Sequence, residues 1–214
     1  MGPFKKDAYC IGTEEFENDS FRFALDYTLP NGSLIYASYA KGFASGGFNN
    51  DDRVSAFPAE TADNYEIGTK GTYLDGKLQV NANVFLFDYI NNQRSVARID
   101  PNSGAASIAT VPIQKAEVDG YEIEIKAFIN DYFSVLASRG AYGGKYIEFV
   151  DDNGNDLTGF AYDAEGPESR TNITLLNVFS LNSKTISSSL SWTHVGDDFT
   201  TTELYDYSQL HNYS

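Results

Sequence analysis

The chain has 214 residues, 42% of them apolar, which is room for one domain; its formal net charge of −15, with no basic stripe, excludes nucleic-acid binding. No run approaches the ~18 consecutive apolar residues of a membrane-spanning helix, which leaves membrane strands open, since these cross with about 9 to 11 alternating residues. Fifteen Tyr and 15 Phe against one Met make a strand-rich composition, and the single cysteine, Cys10, excludes an internal disulfide or a two-cysteine metal site.

The first residues, through Cys10, carry two lysines but no apolar segment, so they do not form a secretory signal. Alternation begins at Phe21, Phe23, Leu25 and Tyr27, with Arg22, Ala24 and Asp26 on the opposite parity, and stops at the turn Pro30-Asn31-Gly32. A second strand is predicted over Ser33 to Gly42. An irregular segment rich in Gly, Asn, Asp and Ser follows, from Ala44 to Ala62. The third strand, Asn64 to Leu74, sets Tyr65, Ile67, Thr69 and Tyr73 against Glu66, Lys70 and Thr72 and closes at the hairpin signal Asp75-Gly76. The fourth places Leu78, Val80, Ala82, Val84 and Leu86 opposite Gln79, Asn81 and Asn83 and continues to about Ile99. After Pro101-Asn102-Ser103-Gly104 one long strand returns from Ala106 to Ile129, with Glu122 and Glu124 facing away from Tyr121, Ile123 and Ile125. Asn130-Asp131 turns the chain into Phe133, Val135 and Ala137, which climb toward Tyr142 and Tyr146. A second polar segment, Glu148 to Ser169, precedes strands over Arg170 to Leu181 and Thr185 to Val195, joined by Asn182-Ser183. The last residues, to Ser214, are read as irregular, without a terminal strand.

Short turns at 30–32, 75–76, 130–131 and 182–183 alternate with long connections. In an up-and-down antiparallel sheet this puts every short turn at one end and every long loop at the other, as an outer-membrane barrel requires. The strands also exceed the usual length of about 5 to 6 residues. Apolar residues opposite amides fit a wall between hydrocarbon and a wet lumen, although a soluble sheet packed on a core gives the same local pattern. The predicted fold class is all-β, a portion of an antiparallel up-and-down transmembrane β-barrel with about eight complete strands, in a single domain.

Specific motifs sharpen this reading. The run YASYAKGFASGGFN from Tyr36 to Asn49 is similar to the YxSYxxGFxxGGFN signature of TonB-dependent receptor barrels. Phe57 to Glu60 with Asn64 to Gly71, then Asn83 to Tyr89 with Gln93, then KAEVDGYEIE from Lys115 to Glu124, resemble further pieces of that family in the family's order. The signature positions are Tyr39, Gly42, Phe43, Gly46, Gly47, Phe48, Asn49, Tyr65, Glu66, Gly68, Gly71, Gly120 and Glu122. The resemblance covers about residues 20–181 and is to the C-terminal part of the barrel domain. It implies a 22-stranded barrel around a plug, in the bacterial outer membrane, that takes up ferric siderophores, cobalamin or other scarce nutrients with energy passed on by TonB. The implied partners are outer-membrane lipid, a small-molecule ligand such as an iron chelate, and TonB in the full-length receptor; no cofactor is implied. The chain shows no recognisable plug, TonB box or closing strand, so residues 1–214 are expected to be a partial barrel domain.

Gly42, Gly46 and Gly47 fall where a strand leaves the rim for a loop, and positive φ is expected there. Tyr36, Tyr39, Tyr65, Tyr73, Tyr89 and Trp192 suit aromatic girdles at the membrane interfaces, or plain cross-strand packing. His194 and His211 lack metal-site spacing. Glu122 and Glu124 share a strand face as lumen residues do, and no catalytic set can be assembled, so no enzymatic role is expected. The segment from Asp151 to Asp156 has a calcium-loop composition, but the twelfth position of an EF-hand falls on Tyr162 or Asp163 in place of Glu; a solvated outer loop is expected. Gly143-Gly144-Lys145 lacks phosphate-loop spacing. Ligand contacts are expected from Phe48, Asn49 and Arg53, since aromatic, amide and guanidinium groups suit a chelate. Two other readings compete: a small autonomous eight-stranded outer-membrane barrel with a structural or adhesion role, and a soluble β-sandwich binding module.

Overall fold

The computed structural model describes residues 13–49, 56–99, 106–150, 154–159, 169–181 and 184–196. Among them the chain forms strands and no helix. In order these are β1 (Phe21–Thr28), β2 (Leu34–Ala44), β3 (Gly47–Phe48), β4 (Ala56–Phe57), β5 (Glu60–Tyr73), β6 (Leu78–Ile99), β7 (Ala106–Phe128), β8 (Phe133–Glu148), β9 (Ser169–Leu181) and β10 (Lys184–Val195). Eight of them make one antiparallel sheet in the order β1-β2-β5-β6-β7-β8-β9-β10, and β3 pairs with β4 in a separate ribbon.

The short turns explain why each strand folds back on its predecessor. Between β1 and β2 the Gly32 N–H donates to Leu29 O at 2.9 Å, with Gly32 at φ +82°, a left-handed residue that closes a three-residue loop. Between β5 and β6 the Lys77 N–H donates to Leu74 O at 3.1 Å, and Asp75 and Gly76 both have positive φ, as the mirror-image hairpin turn requires. Between β7 and β8 Asn130 Oδ1 accepts from the N–H groups of Tyr132 and Phe133, each at 2.9 Å. These turns share one end of the sheet. The predicted turns at 101–104 and 182–183 lie outside the described residues, as do Cys10, Arg53 and His211.

The segment read as irregular from Ala44 to Ala62 is partly ordered. β2 extends to Ala44 and β5 starts at Glu60, because Thr61, Ala62 and Asp63 pair with β2 on one side and β6 on the other. That two-sided ladder overrides the weak strand propensity of the local residues. The expected positive φ at Gly42, Gly46 and Gly47 is not found; the described glycines with positive φ are Gly32, Gly76, Gly154 and Gly159. At Gly46 and Gly47 the requirement is space: a Cβ would lie 2.5 Å from the Phe16 ring and 2.8 Å from the Phe57 ring, respectively.

Register divides the sheet into two unlike faces. One carries rows such as Leu25-Ala37-Ile67-Val84 and Val80-Ile125-Ala137-Ile173-Trp192. Its side chains stand free: Leu25 is 65% exposed, Ile67 60% and Leu190 69%. The other face is polar. Asn81 and Asn83 donate to Glu124 and Glu122 at 3.4 Å, the Tyr36 hydroxyl donates to Glu66 at 2.5 Å, and Thr193 donates to Asn172 at 3.0 Å. Along β6 the apolar parity from Leu78 to Leu86 runs ~26 Å at ~3.3 Å per residue. A strand tilt of ~40° brings this to ~20 Å, close to the ~25 Å outward band of an outer-membrane barrel.

No second sheet covers the apolar face among the described residues, so the β-sandwich reading has no second layer. Nor does β1 pair with β10; each has one partner strand, and the sheet is an open arc rather than a closed eight-stranded barrel.

Candidate functional site

Toward the loop end the two faces exchange character along β6, whose register with β5 and β7 does not slip, although β7 and β8 shift by one residue between Lys115 and Ala116. On the polar parity of β6, Asn83 is followed by Phe85, Phe87 and Tyr89, whose successive rings lie 5.8 Å apart, the first pair edge-to-face and the second stacked. On the apolar parity Leu86 gives way to Asp88. Asp88 pairs with Lys115 at 3.4 Å and Glu117 with Lys145 at 3.5 Å. Just below this charged belt Tyr39 and Tyr65 pack with ring centres 5.1 Å apart, and the Tyr39 hydroxyl donates to Asp63. Rings facing hydrocarbon with hydroxyls turned to a charged belt form an interfacial girdle. Tyr39, Tyr65, Tyr73 and Trp192 lie on this face as expected of girdle residues; Tyr36 and Tyr89 lie on the opposite face and are corrected to lumen-side residues. The Tyr36 ring lies across Gly68, its cross-strand partner, with Lys70 Nζ 5.6 Å from the ring centre.

Above the belt β6 and β7 continue as a long arm. Asn91, at φ +54°, interrupts the ladder, and its side chain donates to Ala59 O at 3.4 Å. Amide side chains tie the arm to both neighbouring loops. On one side Asn49 donates to Thr110 O at 2.9 Å and accepts from Thr110 N at 2.6 Å, while Gln93 donates to Ser45 O and Pro58 O. On the other, Gln114 donates to Val150 O at 3.3 Å and accepts from Val150 N at 3.0 Å. In each reciprocal pair an amide side chain plays the part of a strand backbone. Ile113, Ala116, Tyr146 and Phe149 are buried between these loops, with Tyr89 and Leu157 packed against them. The segment after β8 folds back through a Val150–Asp156 bridge and a Leu157 N–H donated to Phe149 O at 2.7 Å. The apolar core of the described chain thus sits under the loops and not in the wall.

Of the expected contact residues, Phe48 is 42% exposed on β3, whereas Asn49 is 7% exposed and both ends of its amide are engaged by Thr110. Arg53 lies outside the described residues. Gly120 is covered by Phe85 and Tyr142, and Glu122 takes the Asn83 bond, so these signature residues build the wall. Gly71 likewise faces the Tyr73 ring, and Gly42 meets only an ordinary contact with Ala62 O at 3.8 Å. Phe43 pairs with Thr61 on β5. Asn83 to Tyr89 and Gln93 stand out in the sequence as a motif, but the joining of Phe85, Phe87 and Tyr89 into one strip and the Gln93 and Gln114 ties do not follow from it. A change from amides to rings along one parity marks the strip; no local signal marks the ties, whose partners are 35 to 48 residues away. Among the described residues no group of His, Cys, Asp and Glu is placed to hold a metal ion.

A sheet with a free apolar band, a hydrogen-bonded polar face and all long loops at one end is an arc of an outer-membrane β-barrel wall. The chain belongs to the TonB-dependent receptor-like β-barrel family, whose model matches residues 7–214. It is 29% identical over 132 residues to the ferric-pyoverdine 358 receptor of Pseudomonas putida, a match covering 62% of this chain and 15% of that protein. In structure it is similar to the ferric yersiniabactin uptake receptor FyuA from Yersinia pestis (TM-score 0.61, 19% identity, 82% of this chain and 25% of that one). It is also similar to the copper transporter OprC (TM-score 0.63, 16% identity, 82% of this chain and 26% of that one). Both structural likenesses are of fold alone. The family is one of transport receptors, not enzymes, and its members lie in the outer membrane of Gram-negative bacteria.

Proposed function

We propose that these eight strands are one arc of the wall of an outer-membrane receptor that actively takes up a scarce nutrient, with a ferric siderophore as the ligand class. In the complete receptor further strands close the barrel, a plug fills it and TonB supplies the energy. The observation that carries this reading is the change of faces along β6. The polar wall that suits a wet lumen becomes, at the loop end, a strip of rings at Phe85, Phe87 and Tyr89, beside loops stapled to the β6–β7 arm. A chelate with aromatic or flat conjugated groups fits such a strip, and Phe48 with Arg53 are its proposed contacts from the neighbouring loop. Asn49 acts through the Thr110 bonds, holding that loop in place.

The test is uptake of radiolabelled iron presented as ferric pyoverdine, in iron-starved cells with and without the complete receptor. Receptor-dependent uptake that stops when TonB is removed is the expected result. Equal iron uptake in both strains, with receptor-dependent accumulation of copper instead, would replace the ligand class.

A further inference from the structure

The lipid-facing side of the wall carries a guanidinium that ligand uptake does not use. Arg139 belongs to the apolar parity of β8, in the row Ile123-Arg139-Thr171-His194, and the next row toward the short turns is Ile125-Ala137-Ile173-Trp192. Its side chain is exposed on that face. Arg139 Nε donates to the Tyr121 hydroxyl at 2.8 Å and Nη1 donates to Thr171 Oγ1 at 2.9 Å. Both partners are neutral. Among the described residues no carboxylate pairs with Arg139, whereas Lys115 and Lys145, nearer the loops on the same face, are matched by Asp88 and Glu117. His194 stacks on Trp192 at the edge of the patch, ring centres 5.9 Å apart.

An arginine is among the costliest residues to leave unneutralised against hydrocarbon. Its guanidinium carries five N–H groups, so two bonds to hydroxyls leave donors over, and each hydroxyl that accepts from Arg139 still has its own proton to give. Thr171 and His194 each stand ten residues from the short-turn ends of their strands, Leu181 and Lys184, as Asp88 of the charged belt stands ten from Leu78, so this end of the row reaches the headgroups of the loop-side leaflet. We propose that Arg139, with Tyr121, Thr171 and His194, binds the phosphate of an anionic membrane lipid in the loop-side leaflet, its acyl chains lying along Ile125, Ala137, Ile173 and Trp192. The inference rests on the membrane-wall reading and is independent of which nutrient is carried. Guanidinium and phosphate match in charge and in bidentate geometry, and the hydroxyls complete a donor set around one anionic headgroup.

The experiment uses the complete receptor that contains this chain, purified in detergent, with diphosphoryl lipid A and the same glycolipid stripped of its phosphates as probes in native mass spectrometry. The wild-type protein is expected to favour the phosphorylated form about tenfold, and Arg139→Gln to lose that preference. Arg139→Lys keeps part of it, and Lys145→Gln, which removes a lysine already paired with Glu117, keeps all of it. Heat-modifiable migration on gels shows that each variant has folded, and ferric-chelate binding follows the uptake reading separately. Equal binding of the two glycolipids by wild type, or unchanged binding by Arg139→Gln, overturns the proposal. So does equally effective competition by inorganic phosphate, which would make this a soluble-anion site, or a receptor dimer that dissociates in Arg139→Gln, which would make it a protein contact.

Discussion

At Gly120 a methyl group would lie 2.5 Å from Ala141 O, 2.6 Å from the Phe85 ring and 2.8 Å from Tyr142 Cβ. A backbone oxygen cannot swing away as a side chain can. Gly120→Ala is therefore expected to destabilise the wall by ~1–3 kcal/mol, the usual cost of overpacking, read as a lower denaturant midpoint for the complete barrel. At Gly68 the obstacle is the far end of Tyr36, whose ring can move if it gives up Glu66, so Gly68→Ala should cost less. An equal or smaller loss at Gly120 would show that backbone closeness is not what the glycine serves. In the outer loop, Asp156 accepts from the Thr158 hydroxyl and from its N–H at 2.9 Å, which holds the carboxyl below its ordinary 3.8. A lowered value means that this capping is fully present above the ordinary value and is lost as pH falls through the lowered one. Amide-exchange protection at Thr158 should hold from neutral pH down to 3.8 and disappear below it, while Asp156→Asn should show no such acid step. Protection that falls well above 3.8 would contradict the assignment.

At the scale of the strand, parity decides what a substitution meets. Val84 is 57% exposed on the apolar face, in mid-band, and Asn81 stands on the polar face beside Glu124. Val84→Arg should cost ~2–4 kcal/mol where a charge meets hydrocarbon, and Asn81→Arg should fold like wild type because Glu124 offers it a partner. The fraction of complete receptor with heat-modifiable migration measures both; similar losses would mean that the faces are wrongly assigned. Much of this was legible in the sequence. The parity of β6 from Leu78 to Leu86 and the turns at Gly32, Gly76 and Asn130 follow from period-two alternation and from residues that tolerate left-handed backbone, both local properties. The start of β5 at Glu60 was not legible, because only pairing with β2 and β6 makes strand of Thr61, Ala62 and Asp63.

For the molecule as a whole, β1 and β10 each leave a row of unpaired backbone groups among the described strands, and every residue of both is exposed. Residues 1–214 produced alone in plain buffer should therefore aggregate through open edges and the uncovered apolar face; a monodisperse folded monomer at micromolar concentration would refute this. The sequence by itself determined the all-β class, the two-faced strands and the placing of the long loops at one end, because alternation and turn chemistry act between residues close in the chain. Its motifs also carried the family. Only the tertiary structure decided that Asn49 is spent on Thr110, that Gln114 staples Val150, that Tyr36 rests on Gly68 and that Arg139 stands in the lipid face with hydroxyl partners alone. Each of these depends on residues from 18 to 61 positions away, brought together by strand register, and register is a property of paired strands that no single stretch of sequence contains.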